Sequence, residues 1–121
     1  MINYHIVSCP KFRRRILVDT VRTGLEGSLR ATARENEWEI LGLEIMPDHV
    51  HLFLSSDTKT APEIVVKRFK GASSRYLRRR FNSLRGLPSL WTRSYVISTA
   101  GNVSSETIMR YIQGQWTRWG R

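Results

Sequence analysis

The sequence predicts an α+β fold of the ferredoxin-like type, with two helices on one face of a four-stranded antiparallel sheet. Short β-prone segments alternate with two long amphipathic segments in the order β-α-β-β-α-β. A two-residue turn separates the second and third strands, so these strands must form an antiparallel hairpin. The chain has 121 residues, 40% hydrophobic and 25% charged. This length and composition predict a single globular domain over residues 1–121.

The first half of the chain contains a strand, a basic loop and a helix. Residues 4–9 are β-prone, and Pro10 ends the strand because proline cannot donate a sheet hydrogen bond. The basic loop covers residues 11–15. Residues 16–37 then carry apolar side chains at three- and four-residue spacing, which predicts an amphipathic helix.

The second half begins with the predicted hairpin, whose strands are residues 38–46 and 49–54. A helix follows over residues 61–81, since a proline and an acidic residue stand in its first turn, where both are favourable. Residues 82–89 form a connection and residues 93–99 a fourth strand. A last helix, capped by Ser104 or Ser105, is expected to complete the chain.

Charge is the main compositional signal of function. The chain carries 20 Lys+Arg against 10 Asp+Glu, a formal net charge of +10, and sixteen of the basic residues are Arg. This excess favours a polyanionic partner, and nucleic acid is the commonest one, although a basic surface that only maintains solubility is the alternative.

The sequence also excludes several classes of protein. No apolar run approaches the roughly 20 residues needed to cross a bilayer, and no cleavable signal pattern is present, so we expect no membrane association and a cytoplasmic location. The single cysteine, Cys9, excludes an intrachain disulfide and a cysteine-rich zinc cluster.

Two of the three histidines, His49 and His51, stand two residues apart on a predicted strand. Side chains alternate between the faces of a strand, so both imidazoles point the same way and can converge on one ion. Val50 between them points toward the core. A pair of solvent-facing histidines without a metal is the alternative, because this spacing alone is common.

The last predicted helix carries Tyr111 and Gln115 one turn apart on its apolar stripe. By spacing alone, this stripe is typical of an ordinary buried helix face.

Taken together, these motifs resemble a known family. Residues 47–52, PDHVHL, resemble the His-hydrophobic-His motif of the HUH endonuclease superfamily. Residues 111–115, YIQGQ, resemble the tyrosine-plus-glutamine motif of its single-tyrosine transposases, the TnpA-like enzymes of the IS two-hundred and IS six-hundred-and-five group. Residues 4–13, 70–74 and 90–95 are also similar to family segments. One departure is Gly114, where the family often has Asn.

The resemblance implies a catalytic centre and its partners. His49, His51 and Gln115 would bind a divalent cation, Mg²⁺ or Mn²⁺, and Tyr111 would be the nucleophile. The enzyme would cleave and rejoin single-stranded DNA through a 5′-phosphotyrosine intermediate and recognise hairpins near the ends of the mobile element. The family is dimeric, and its tyrosine helix can act in trans on the metal site of the other subunit.

Basic residues of the first loop and of the second helix form a predicted DNA-binding surface, since Lys and Arg bind phosphates. A solvated helix face whose Arg stems cover apolar surface is the alternative for each of them. The predicted contacts are Lys11, Arg13, Arg14, Arg15, Lys67, Lys70, Arg75, Arg78 and Arg79.

Other residues have less specific interpretations. Asp48 either builds the turn after Pro47 or orients a neighbouring histidine. We expect His5 to be structural and the tryptophans (Trp38, Trp91, Trp116 and Trp119) to pack in a core or a dimer interface.

Two other functions remain compatible with the sequence. An RRM-like domain that binds nucleic acid without catalysis has the same element order, with Phe53 and Tyr95 as its aromatic support. A domesticated, repeat-associated relative would share the nicking chemistry.

Overall fold

Four strands and two long helices make up residues 1–99, the part of the chain that the computed structural model describes. The predicted last helix lies outside these residues. The elements are β1 (Ile2–Ser8), a short 3₁₀ helix (Lys11–Arg13), α1 (Asp19–Glu35), β2 (Glu39–Met46), β3 (His49–Ser56), α2 (Pro62–Arg80), α3 (Asn82–Arg85) and β4 (Val96–Thr99).

The strands form one antiparallel sheet in the order β2-β3-β1-β4, which confirms the predicted ferredoxin-like arrangement. The central strand β1 pairs with β3 along the whole length of β1, with His5 opposite Phe53 and Val7 opposite His51. This register determines which side chains of the two strands are neighbours.

Alternation along the central strands separates two buried layers. Tyr4 and Ile6 of β1 belong to the main core together with Val50 and Leu52 of β3. The residues that alternate with these along β1 and β3, which include His5 and His51, point to the opposite face of the sheet and form a second buried layer. The main core is completed by helix residues that include Leu25, Leu29, Ala33, Val65, Val66, Phe69 and Leu77.

Helix α1 is shorter than the predicted segment 16–37. Leu17 is 1% exposed, and its backbone N–H donates to the Pro47 carbonyl at 3.0 Å, so the chain before Asp19 is extended and attached to the hairpin turn. The helix ends before Glu37, which has a left-handed φ of 59°. Apolar spacing alone cannot distinguish a helical turn from an extended segment that buries one leucine.

The connection between α2 and β4 differs from the prediction in two ways. Residues 82–85 form α3, and β4 begins at Val96 rather than at residue 93. Leu90 and Trp91 are buried, and the Leu90 carbonyl accepts a backbone hydrogen bond of 2.9 Å from Lys11. These contacts place residues 90–92 beside the end of β1, and the chain forms no regular strand there before β4 begins at Val96.

Trp38 and Trp91 are both buried, as predicted, whereas Trp116 and Trp119 lie outside the described residues. Among residues 1–99, no helix has the length and apolar character that a membrane span requires.

Candidate metal and nucleic-acid site

His49 and His51 lie on the face of β3 that is turned away from α1 and α2, and each side chain is 0% exposed. Their ring centroids are 5.1 Å apart, with the ring planes at 82°. Val50 lies in the main core. The predicted shared face of the two histidines is therefore confirmed, whereas the alternative of solvent-facing imidazoles is wrong.

A carboxylate contact orients His49. Its Nδ1 lies 2.7 Å from Asp48 Oδ1, and the other carboxylate oxygen of Asp48 accepts a hydrogen bond of 3.2 Å from Arg13. Burial alone would raise the pKa of the Asp48 carboxyl, but His49 and the Arg13 guanidinium together hold that pKa below its ordinary value. Asp48 therefore has both roles considered for it, since it lies in the hairpin turn and contacts the imidazole.

A second imidazole contacts His51. His5 Nε2 lies 3.0 Å from His51 Nδ1 across the β1–β3 pairing. The His5 ring also stacks on Phe53, with centroids 4.3 Å apart and planes 2° from parallel. Both His5 and Phe53 are buried, so Phe53 does not present an open face for a nucleic acid base.

The donor chemistry of this cluster fits a divalent cation. Burial lowers the pKa of His51 to about 4, and the neighbouring His5 and His49 lower it in the same direction. A neutral imidazole has the lone pair that a metal ligand requires. In both histidines Nδ1 makes the contact described above, so Nε2 is the atom that would bind the cation.

Tyr111 and Gln115, the predicted nucleophile and third ligand, lie outside the described residues. Within residues 1–99, no group of three or more His, Cys, Asp or Glu side chains is placed to hold a metal ion. A site built on His49 and His51 thus requires a further ligand, which is a residue of another type within this range, a residue outside this range, or an atom of the substrate.

The first basic loop lies directly beside the histidines. Arg13, Arg14 and Arg15 are exposed, and Arg13 reaches Asp48 as described. Phe12 and Arg13 have left-handed φ values of 63° and 51°, an uncommon conformation for side chains other than glycine. The loop therefore has a defined shape that presents several cations next to the candidate metal site.

A groove of about 580 Å³ between α2 and residues 88–95 collects a second set of cations, which includes Lys11, Lys67 and Lys70. Lys67 is exposed. The Lys70 ammonium is half-buried and donates to the Thr92 carbonyl at 2.6 Å, and burial lowers its pKa. Lys70 thus has a role within the fold that its sequence position did not reveal.

The remaining predicted DNA contacts lie further along α2. Arg75 and Arg79 are exposed. Arg78 is half-buried, and its guanidinium lies 3.4 Å from the Arg85 carbonyl, to which it donates. These residues do not line the groove that contains Lys67 and Lys70.

The structure adds one residue that sequence reasoning did not assign to the site, His5, and it adds the contact between Arg13 and Asp48. The alternation of β1 places His5 on the face opposite Tyr4 and Ile6, which is visible in the sequence. Its distance from His51 depends on the register of two strands that are 46 residues apart, and no local signal reveals that register.

Comparison with known proteins assigns the chain to a family. The family model described as IS200-like transposase matches residues 1–115. The ISDra2 transposase TnpA of Deinococcus radiodurans is 38% identical over 117 residues, covering 94% of this chain and 84% of the relative. The transposase for insertion sequence element IS200 of Salmonella typhimurium is 30% identical over 115 residues, covering 93% and 75%.

Solved structures agree with this assignment. A crystal structure of a D. radiodurans protein assigned as a transposase has a TM-score of 0.77 and 36% identity, covering 94% of this chain and 90% of that one. A REP-associated tyrosine transposase bound to a REP hairpin shares the fold, with a TM-score of 0.61, 16% identity and coverage of 92% and 62%. With its ferredoxin-like sheet and its paired histidines, the chain belongs to the IS200-like transposase family.

Proposed function

We propose that this transposase cleaves and rejoins single-stranded DNA in a reaction that depends on a divalent cation. The observation that carries the proposal is the pair His49 and His51, which lie on one face of β3 with each Nδ1 in contact with a neighbouring side chain. His49, His51 and Gln115 would hold Mg²⁺ or Mn²⁺. Such a cation stabilises the charge that develops on the non-bridging oxygens of a scissile phosphate.

Tyr111 is the nucleophile in this proposal. Its phenol oxygen attacks the phosphorus, the bond to the 3′ oxygen breaks, and the phenol proton is lost as the 3′ oxygen gains one. The products are a 5′-phosphotyrosine and a 3′-hydroxyl group. The ester conserves the energy of the phosphodiester bond, so a later attack by a 3′-hydroxyl rejoins strands without ATP.

The partners follow from charge and from the relatives. The net charge of +10 and the exposed cations Arg13, Arg14, Arg15 and Lys67 support binding to DNA phosphates. One structural neighbour is a tyrosine transposase bound to a REP hairpin, which supports hairpin recognition here. We also propose a homodimer in which the tyrosine helix of one subunit can serve the histidines of the other, acting in the prokaryotic cytoplasm.

A covalent-trapping assay tests the proposal. The protein is incubated with hairpin-containing single-stranded DNA and Mn²⁺, and denaturing gels then show whether a protein–DNA adduct survives. We expect Tyr111→Phe to abolish the adduct while DNA binding is retained, and His49→Ala to reduce it through weaker metal binding. An adduct that forms equally well with Tyr111→Phe would refute the assignment of the nucleophile.

The RRM-like binding alternative loses its support on the central strands, because Phe53 is buried against His5. The domesticated, repeat-associated relative shares all the chemistry proposed here, so the genomic context of the gene distinguishes it from a mobile-element transposase.

A further inference from the structure

We propose that His5 is a positioning residue for His51, whose proton arrangement and ring orientation it determines. This inference rests on the proposed function, because it concerns the histidine that would bind the divalent cation. It assigns a role in the site to a side chain of β1 that the sequence analysis expected to be structural.

The argument begins with the protons of the two rings. A neutral imidazole carries one N–H and one lone pair, so His51 can bind a cation through Nε2 only when its proton is on Nδ1. His5 Nε2 lies 3.0 Å from that Nδ1, at hydrogen-bonding distance. In the metal-binding arrangement, His51 Nδ1–H donates and His5 Nε2 accepts, which places the proton of His5 on its own Nδ1.

The position of His5 is itself well determined. The ring is 5% exposed and stacks on Phe53, the residue directly opposite it in the β1–β3 register. His51 is the diagonal neighbour across the same strand pair, and its ring centroid is 5.2 Å from that of His5. Stacking and strand pairing therefore hold the accepting nitrogen at a constant place relative to His51.

The two histidines are thus oriented by chemically different groups. His49 contacts a carboxylate, which adds a negative charge and is paired with Arg13, whereas His51 contacts a second imidazole. An imidazole acceptor orients its neighbour without adding charge to a buried site. Groups that hold metal-binding histidines typically change metal affinity about 10–100-fold when they are removed.

Two substitutions of His5 separate its hydrogen bond from its packing. His5→Phe retains an aromatic ring for stacking on Phe53 but removes the acceptor. His5→Gln loses the ring but offers an amide oxygen at a similar distance along the side chain. Val7→Ala is the matched control, because Val7 is also 5% exposed and lies opposite His51, yet it provides no hydrogen bond to that imidazole.

The primary measurement is the Kd of Mn²⁺ for the full-length protein in the presence of single-stranded DNA, determined by calorimetry. We expect His5→Phe to raise this Kd by about 10-fold or more and His5→Gln to restore most of the affinity. Val7→Ala is expected to lower the melting temperature and leave the Kd unchanged. Equal Mn²⁺ affinity in His5→Phe and wild type would overturn the proposal, as would a loss of affinity in Val7→Ala as large as that in His5→Phe.

A second measurement does not depend on the folding of a variant. Long-range ¹H–¹⁵N NMR of the wild-type protein without metal reports which ring nitrogen of His51 carries the proton. We expect protonation at Nδ1, and a proton on Nε2 would contradict the proposed role of His5.

Failure of this inference is distinguishable from failure of the proposed function. If His49→Ala loses Mn²⁺ affinity while His5→Phe retains it, the metal site stands and the role of His5 is refuted. If His49→Ala binds Mn²⁺ as wild type does, the metal site itself is wrong, and the role of His5 fails with it.

Discussion

Substitution of Lys70 by Met is expected to destabilise the fold, because its ammonium group joins α2 to the segment that leads into β4. Lys70 Nζ donates to the Thr92 carbonyl at 2.6 Å and lies 3.5 and 3.4 Å from the carbonyl oxygens of Arg93 and Ser94. It also lies 5.0 Å from the centroid of the Tyr95 ring. Methionine keeps most of the aliphatic stem and removes all of these polar contacts.

The magnitude follows from the individual contacts. A hydrogen bond from a charged donor contributes about 1.5–3 kcal/mol, and a cation–π contact near the surface adds about 0.5–1 kcal/mol. Part of this loss is offset, because removal of the ammonium also removes the cost of burying a charge, the same burial that lowers the pKa of Lys70. We therefore expect Lys70→Met to lower the free energy of unfolding by about 2 kcal/mol, or the melting temperature by roughly 8 °C.

Urea denaturation followed by circular dichroism measures this change, and Lys67→Met is the matched control. Lys67 lines the same groove but is exposed, so its substitution is expected to change stability by less than about 0.5 kcal/mol. If Lys70→Met were as stable as Lys67→Met, the assignment of Lys70 to the fold would be refuted. The salt dependence of DNA binding tests each variant for a phosphate contact. Loss of one such contact reduces the slope of log K against log salt concentration by about 1.

Three further predictions concern single residues. Glu37→Gly should raise the free energy of unfolding by about 0.5–1 kcal/mol, because exposed Glu37 has a left-handed φ of 59° that glycine adopts without strain. Urea titrations measure this change, and a decrease in the free energy of unfolding would contradict the reasoning. Ser73→Ala should cost about 1–3 kcal/mol, since buried Trp91 Nε1 donates to Ser73 Oγ at 2.9 Å; an unchanged thermal midpoint would argue against that bond. Hydrogen bonds from Trp38 Nε1 and from two backbone N–H groups hold the pKa of the Asp57 carboxyl below its ordinary 3.8. The stability that these bonds give to the folded protein is therefore fully present above pH 3.8, and it is lost as the pH falls through the lowered pKa. The urea midpoints of wild type and Asp57→Asn should therefore converge in acid, and a gap that is independent of pH would count against the mechanism.

The hairpin shows why part of the site was predictable from sequence. Pro47 and Asp48 between two β-prone segments indicate a tight turn, and the pleat of a strand then requires His49 and His51 to share a face. Both properties depend on residues within a few positions of each other. The structure confirms the turn and the shared face, whereas the roles of Tyr111 and Gln115 stay predictions because these residues lie outside the described range.

The basic residues show the opposite case. Composition predicts a polyanionic partner for the chain as a whole, but it cannot distinguish Lys67, which is exposed, from Lys70, whose ammonium is bonded to backbone carbonyls more than twenty residues away. Both stand on the same helix within one turn. Only the packing of residues 90–95 against α2 separates their roles.

The sequence by itself determined the order of the elements, the antiparallel hairpin, the paired histidines and the cationic character, because each depends on composition or on local periodicity. The tertiary structure decided which distant groups meet these elements. His5 reaches His51 through the register of β1 against β3, and Arg13 reaches Asp48 through a loop attached to the hairpin turn. Strand register and loop path minimise the free energy of the whole chain, so they are properties of the folded protein and cannot be derived from any single segment.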